Sequence, residues 1–265
     1  MKRMLFSHKP PPLWLFVAAL MLWWLGCSKE QMKKYEEERR QKAEAERQVV
    51  KEVSLQLATV RGDFPDLKAL QEGPCPDSEI KEFTAGVAAK EIEAPGYFTY
   101  TDYDLLETYT NPNLKSDDQK LKGWDFMESP EIRELRTSKK ADASSESDFD
   151  REEAAKKAQI IKVHRYVVVF RSATKNLPQV REDGPYSMGT YDGWAALFDL
   201  QQPTKPLCAG KIAFTSSEKV RYYKEGGIVR KNLAQAVDSD FQDRFKEAAK
   251  QTVSKLSPAL RANNF

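Results

Sequence analysis

Histidine is scarce in this chain, because its 265 residues include only His8 and His164. A Ser-His-Asp or Cys-His site needs an imidazole as its general base, and His164 is the only such residue beyond the N-terminal segment. It stands in the apolar run "IIKVHRYVVVF" beside Arg165, and no motif connects a nucleophile to it. We expect a packed or edge-exposed imidazole within a strand, and we assign no catalytic residue.

Glycine-rich phosphate loops are also lacking. The segment "KEGGIVRK", residues 224–231, contains two adjacent glycines without the spacing of a nucleotide-binding loop. The acidic residues at 148–153 have neither the glycine nor the spacing of a calcium loop. The sequence therefore predicts no cofactor and no bound metal.

No apolar run in the chain is long enough to cross a bilayer in a helix. Leu13 to Leu25 is free of charge but has only 13 residues, whereas a span needs about 20. Lys2, Arg3 and Lys9 precede this run without any carboxylate. A positive start followed by a short apolar stretch is typical of a secretory signal peptide.

The residues Trp24-Leu25-Gly26-Cys27 close that stretch and resemble the lipobox of bacterial lipoproteins. The resemblance covers residues 1–27 only and departs from the usual pattern at Trp24, where leucine is common. It implies that residues 1–26 are removed and that Cys27 becomes a lipidated N-terminus. Ser28 after the cysteine implies the outer membrane, facing the periplasm, in preference to the inner membrane. The alternative is an uncleaved single-pass anchor with an idle cysteine.

Cleavage before Cys27 would change the charge balance. It removes Lys2, Arg3 and Lys9 from the 42 basic and 40 acidic residues of the whole chain, which leaves 39 basic and 40 acidic residues. The mature chain would thus carry a net charge of −1 with histidine neutral. Nucleic-acid binding relies on clustered positive charge, so we predict no nucleic-acid partner.

The same cleavage leaves Cys75 and Cys208 as the two unmodified cysteines. An even pair in an oxidising compartment indicates one disulfide, and two separate buried thiols are the alternative for a cytosolic chain. With one histidine and a disulfide, the four nitrogen or sulfur ligands of an ordinary zinc site are not available.

Residues 27–60 are interpreted as a lipidated N-terminus followed by a helical stalk. Opposite charges stand four residues apart, as in Lys34/Glu38 and Lys42/Glu46, and such pairs support a helix. An apolar stripe begins only at Val49. We expect one helix over residues 30–60, solvated in its first half and docked on a core in its second half. A helix rises about 1.5 Å per residue, so the solvated half could serve as a spacer.

Residues 61–265 are interpreted as a single α+β domain with a three- to four-stranded antiparallel sheet packed with helices. Tyr166 to Phe170 predicts a strand buried on both faces. The segments "GWAALFDL" and "LCAGKIAF" predict a hairpin, and a helix is expected to begin near Asp238. Residues 137–157 have few core-forming side chains and are expected to form a flexible insertion whose last residues could be helical.

The segment "PGYFTYTDYDLLETYTN", residues 95–111, is dense in tyrosine and carboxylate. Rings that stack on sugars, beside acids that bind hydroxyls, would suit a glycan. The alternative is that the tyrosines close the edge of the core and keep their hydroxyls in water. A short helix capped by Thr101 is also expected here. The candidate ligand-binding residues are Tyr97, Tyr100, Asp102, Tyr103 and Asp104.

The function favoured by these features is a membrane-anchored envelope lipoprotein whose domain is a non-catalytic binding or structural module. Its expected partners are the membrane, through the N-terminal lipid, and an envelope protein or a glycan. Two alternatives stay open: a glycan-binding or glycan-hydrolysing enzyme that uses acids of the tyrosine-rich segment, and an uncleaved single-pass anchored protein.

Overall fold

The computed structural model describes residues 13–76, 98–111, 124–138, 147–180, 186–221, 229–258, 260 and 265, with side chains from residue 29 onward except at 138 and 229–232. Within these ranges the fold consists of helices and one four-stranded sheet. Short 3₁₀ turns lie at Leu67–Ala69 and Asp125–Met127. The helices and strands, in chain order, are α1 (Leu13–Gly62), β1 (Thr99–Asp102), α2 (Glu107–Thr110), α3 (Pro130–Ser138), α4 (Asp148–His164), β2 (Tyr166–Asn176), β3 (Thr190–Asp199), β4 (Cys208–Thr215) and α5 (Val229–Leu256).

The chain divides into two compact units, Met1–Glu46 and Arg47–Phe265. In the first unit, the described side chains of α1 are almost all exposed and form ion pairs such as Lys34 with Glu38 at 3.9 Å. In the second unit, Val53, Leu57 and Val60 of α1 are fully buried. The predicted long charged N-terminal helix is confirmed, and it begins at Leu13, before the expected residue 30.

The sheet has the order β1-β2-β3-β4. Strands β2, β3 and β4 are antiparallel neighbours, as predicted, while β1 pairs in parallel with β2. The predicted α+β class is confirmed, and the sheet is mixed because of β1. Thr101 lies inside β1 and does not cap a helix. Instead, Asp102 holds the following turn by accepting a hydrogen bond from the Asp104 N–H at 2.9 Å.

Apolar clusters cover both faces of the sheet. On the face that we call the α5 side, Phe241, Phe245 and Val253 of α5 pack against Val168 and other strand residues. On the face that we call the α1 side, residues of α1, α3 and α4 pack against alternate strand residues. Val167 and Val169 face the α1 side while Tyr166, Val168 and Phe170 face the α5 side, which confirms a strand buried on both faces.

Helix α4 includes the last residues of the predicted insertion, for which a helix was expected to be possible, and it continues through the apolar residues before β2. The helix begins after Ser147, whose side-chain oxygen accepts a hydrogen bond from the Asp150 N–H. Its buried stripe consists mainly of small alanines and Ile161, a pattern that the search for large apolar residues missed. His164 is the last residue of α4, so its predicted place within a strand is wrong. Residues 139–146 lie outside the described part of the chain.

Helix α5 begins at Val229, earlier than the predicted start near Asp238. Phe241, Phe245 and Leu256 of this helix are buried on the α5 side of the sheet.

Candidate functional site

The most unusual described feature of the domain is a buried polar cluster on the α5 side of the sheet. Asp102 ends β1 and aligns with Phe170 of β2, while Lys175 of β2 aligns with Tyr191 of β3. Trp124, which precedes the second 3₁₀ turn, completes the group. We call Asp102, Lys175, Tyr191 and Trp124 the Asp102 cluster.

A β-bulge brings Lys175 to this face. The register of β2 against β3 shifts between Ser172 and Thr174. Without the extra residue, strict alternation would place Lys175 on the same side as Val169 and Arg171, away from Asp102. Gly193 lies opposite the bulge, and a Cβ there would stand only 2.4 Å from the Arg171 carbonyl oxygen.

An ion pair forms the centre of the cluster. The Lys175 Nζ lies 3.1 Å from Asp102 Oδ1 and also pairs with the half-exposed Asp104. Burial raises the pKa of Asp102, because the side chain is only 1% exposed, although the charge of Lys175 opposes the effect. For Lys175, burial by itself would lower the pKa, but the charges of Asp102 and Asp104 outweigh it, and the pKa is raised.

Two buried atoms of the cluster are left without hydrogen-bond partners among the described residues: Asp102 Oδ2 and Tyr191 Oη. The Tyr191 ring is stacked on Phe214, and its centroid lies 6.2 Å from that of Trp124. Lys175 Nζ stands 4.9 Å from the Trp124 ring. The cluster therefore offers one open acceptor and one open hydroxyl in an apolar setting.

The predicted tyrosines lie against protein groups. Tyr100 is 7% exposed and contacts the rings of Phe170, Phe245 and Phe265. This placement matches the alternative in which tyrosines close the core, and the proposed ligand-binding role of the segment stays a prediction. Tyr97 lies outside the described residues.

Tyr103 lies between two guanidinium groups. The Cζ atoms of Arg61 and Arg171 are 3.6 Å and 4.2 Å from its ring centroid, so both cations make cation–π contacts. Burial lowers the pKa of Arg61. Sequence reasoning did not find this stack, because Arg61, Tyr103 and Arg171 are far apart in the chain and no local pattern joins them.

A second buried ion pair connects the 3₁₀ turn to α3. Arg136 donates to both carboxylate oxygens of Glu128 at 2.9–3.2 Å and to Asp125 Oδ1 at 2.8 Å. Burial raises the pKa of Glu128, and its hydrogen bonds from Arg136 oppose that rise. Because both partners are enclosed, this pair fixes the fold locally.

Cys75 and Cys208 form a disulfide pair, with Cα atoms 4.8 Å apart, which confirms the predicted pairing. Cys75 is buried in the α5-side cluster, and its N–H donates to the Leu256 carbonyl oxygen at 2.8 Å. The bridge thus fastens the segment after α1 to the start of β4, beside the end of α5.

His164 is the last residue of α4 and is half-buried. Burial lowers its pKa, and the charge of Glu131 opposes the effect. In the described ranges, no group of three histidine, cysteine, aspartate or glutamate side chains is arranged to hold a metal ion. No helix in those ranges has the length and apolar character needed to cross a membrane.

Comparison with protein-family models, curated proteins and solved structures found no match to this chain.

Proposed function

We propose that this protein is a bacterial envelope lipoprotein. In this proposal Cys27 carries the lipid, residues 29–46 act as a helical spacer, and the domain is a binding or structural module without catalysis. The lipobox-like residues Trp24 to Cys27, placed after a positive start and a short apolar run, support the anchoring step.

The pairing of Cys75 with Cys208 is the observation that carries the proposal. The two cysteines are 133 residues apart in sequence yet lie at disulfide distance. Disulfides persist in oxidising compartments such as the bacterial periplasm and are rare in the cytosol. A paired state therefore supports export of the domain, as the N-terminal segment implies.

The proposed binding role is supported by the way the buried acidic and basic side chains pair with one another. Glu128 pairs with Arg136, Asp199 with Arg165, and Asp102 with Lys175. Each pair connects elements that are distant in the chain or joins a turn to a helix. These acids and bases hold the domain together, which suits a rigid module that presents a surface.

Metabolic labelling with a radioactive fatty acid tests the anchor. The full-length chain should incorporate label and lose mass by signal cleavage, while Cys27→Ser should incorporate none and should retain residues 1–26. The double variant Cys75→Ser/Cys208→Ser is the control, because it also loses thiols but should be labelled normally. Equal labelling of the wild type and Cys27→Ser would refute the proposal.

Alkylation with and without reductant tests the compartment. The protein isolated from its native envelope should gain two alkyl groups only after reduction, as measured by intact mass. A single Cys75→Ser variant should expose one reactive thiol at Cys208 without reductant. Two thiols that react before reduction of the wild type would contradict an oxidising location.

A further inference from the structure

Among the described residues, no helix packs over part of the α1 side of the sheet. Next to the covered part, the strand register aligns nine residues of β2, β3 and β4 in three rows across the sheet. Six of these residues are exposed, and three, Arg171, Thr190 and Trp194, are half-buried. We call these nine residues the open face; its rows are Arg171–Trp194–Lys211, Thr174–Asp192–Ala213 and Asn176–Thr190–Thr215.

The first row places an indole ring between two cations. Lys211 Nζ lies 5.9 Å from the Trp194 ring centroid. On the other side of Trp194, Arg171 donates to the Pro65 carbonyl oxygen at 2.8 Å and so belongs to the covered border. Lys211 is exposed, and among the described residues no carboxylate forms an ion pair with it. This row therefore presents an unneutralised positive charge beside an aromatic surface.

The other two rows are made mainly of small polar side chains. Thr174, Thr190 and Thr215 carry hydroxyls, and Asn176 Nδ2 donates to Thr190 Oγ1 at 3.2 Å. These groups stand on paired strands, so their spacing is fixed by the sheet. Asp192 supplies the one acid of the face, and with Arg171 and Lys211 the face carries a net charge of +1.

We propose that the open face binds a glycan strand that carries carboxylates. A sugar ring would lie on the indole of Trp194, its carboxylate would meet Lys211, and its hydroxyls would bind the threonine and asparagine side chains. Aromatic groups with a few placed polar groups are typical of ligand sites, and the positive row is complementary to an acidic ligand. The choice of an envelope glycan as the ligand rests on the proposed function. The description of the open face does not depend on that function.

Co-sedimentation with purified peptidoglycan sacculi tests this inference. The lipidated mature chain in mild detergent should sediment with the sacculi, and added salt should weaken its binding. Lys211→Glu should weaken binding about tenfold, equivalent to about 1.4 kcal/mol. Asp192→Asn should bind more tightly than the wild type, because it removes the only acid of the face. Trp194→Ala should abolish binding.

The charge-matched control is Lys250→Glu, since Lys250 is exposed on α5, at the opposite side of the sheet. It should bind like the wild type. Because Trp194 also packs against the core, Lys211→Glu decides the result if Trp194→Ala fails to fold. The inference is overturned if the wild type does not sediment, if Lys211→Glu binds normally, or if Lys211→Glu and Lys250→Glu weaken binding equally. Equal binding to neutral insoluble cellulose would overturn the requirement for carboxylates.

Labelling and sedimentation separate the two proposals. A chain that is lipidated at Cys27 but does not bind sacculi refutes the glycan surface alone. A chain that binds sacculi through Lys211 but never receives lipid refutes the anchor alone.

Discussion

Two phenols of this domain, the buried Tyr191 and the half-buried Tyr109, differ in whether the hydroxyl has a hydrogen-bond acceptor. Tyr109 Oη donates to the Ile132 carbonyl oxygen at 3.2 Å, whereas Tyr191 Oη has no acceptor within the described ranges. Burial raises the pKa of both phenols well above the ordinary value. A buried polar atom without a partner loses its hydration without compensation, so the two hydroxyls should affect stability in opposite directions.

Tyr191→Phe should raise the free energy of unfolding by about 1 kcal/mol, because it removes the uncompensated hydroxyl and keeps the ring. Tyr109→Phe is the matched control and should lower the free energy of unfolding by about 1 kcal/mol. Urea denaturation followed by fluorescence measures both. A loss of stability in Tyr191→Phe would contradict this account and would indicate that an ordered water satisfies the hydroxyl.

The raised pKa of Asp102 determines the direction in which its contribution to the free energy of unfolding changes with pH. The folded-state pKa lies above the ordinary value of 3.8 because of burial. Between the two values the folded state holds a proton that the unfolded state has released, so the contribution of Asp102 to stability falls as pH rises through that window. Lys175 and Asp104 face the same carboxylate and remain in any Asp102 variant.

Asp102→Asn should therefore become more stable relative to the wild type as pH is raised from about 4 toward neutrality. Urea denaturation at several pH values measures the difference between the two proteins. Glu128, whose pKa is also raised by burial, titrates in both proteins and cancels in this difference. A difference that stays constant over the range would show that Asp102 titrates alike in the folded and unfolded states.

At the scale of elements, helix α1 contributes residues of different character to the two compact units. Its charged residues are exposed in Met1–Glu46, while its apolar stripe is buried in Arg47–Phe265. Leu57 is 0% exposed and Leu55, only two residues earlier, is 67% exposed. These two leucines offer a direct comparison within one helical turn.

Leu57→Ala should lower the free energy of unfolding by about 2–5 kcal/mol, as expected when a buried leucine leaves a cavity. Leu55→Ala should change it by no more than about 0.5 kcal/mol, because the side chain is in solvent. Thermal and urea unfolding of both variants measure the effect. Equal stability of the two would mean that this part of α1 does not belong to the domain.

The elements with large apolar residues in a regular pattern were predictable. The buried strand β2, the hairpin of β3 and β4, and the C-terminal part of α5 agree with the structure because phenylalanine, isoleucine and valine mark their buried faces. The full extent of helix α4 was not predicted, because its buried stripe is mostly alanine. Strand β1 was missed because its four residues include buried Thr99, Thr101 and Asp102, which resemble a turn in sequence.

At the scale of the whole molecule, the contacts that form the Asp102 cluster could not be predicted from the sequence. Asp102 and Asp104 were singled out, but their partner Lys175 is 73 residues from Asp102, and it reaches this face only through a bulge. The open face was missed for a related reason. Trp194 stands in a segment that predicts one strand of a hairpin, and only the extent of the covering helices shows that this part of the strand is left open.

The disulfide should be a main source of global stability. Its two cysteines are 133 residues apart, and the chain-entropy description assigns about 4–5 kcal/mol to closing so long a loop, although measured values are often smaller. We expect Cys75→Ala/Cys208→Ala to lower the free energy of unfolding by about 2–4 kcal/mol. Urea unfolding of the oxidised wild type, the reduced wild type and the variant measures it. Identical midpoints would show that the bridge adds nothing.

The position of the same bridge also decides what a protease can release. Strands β1, β2 and β3 lie inside the loop that Cys75 and Cys208 close, while α1 and α5 lie outside it. One cut anywhere within the loop therefore leaves a single covalent molecule, and its fragments separate on a gel only after thiol treatment. If the N-terminus is held in a membrane, a nicked chain of this kind is retained there together with its C-terminal helix.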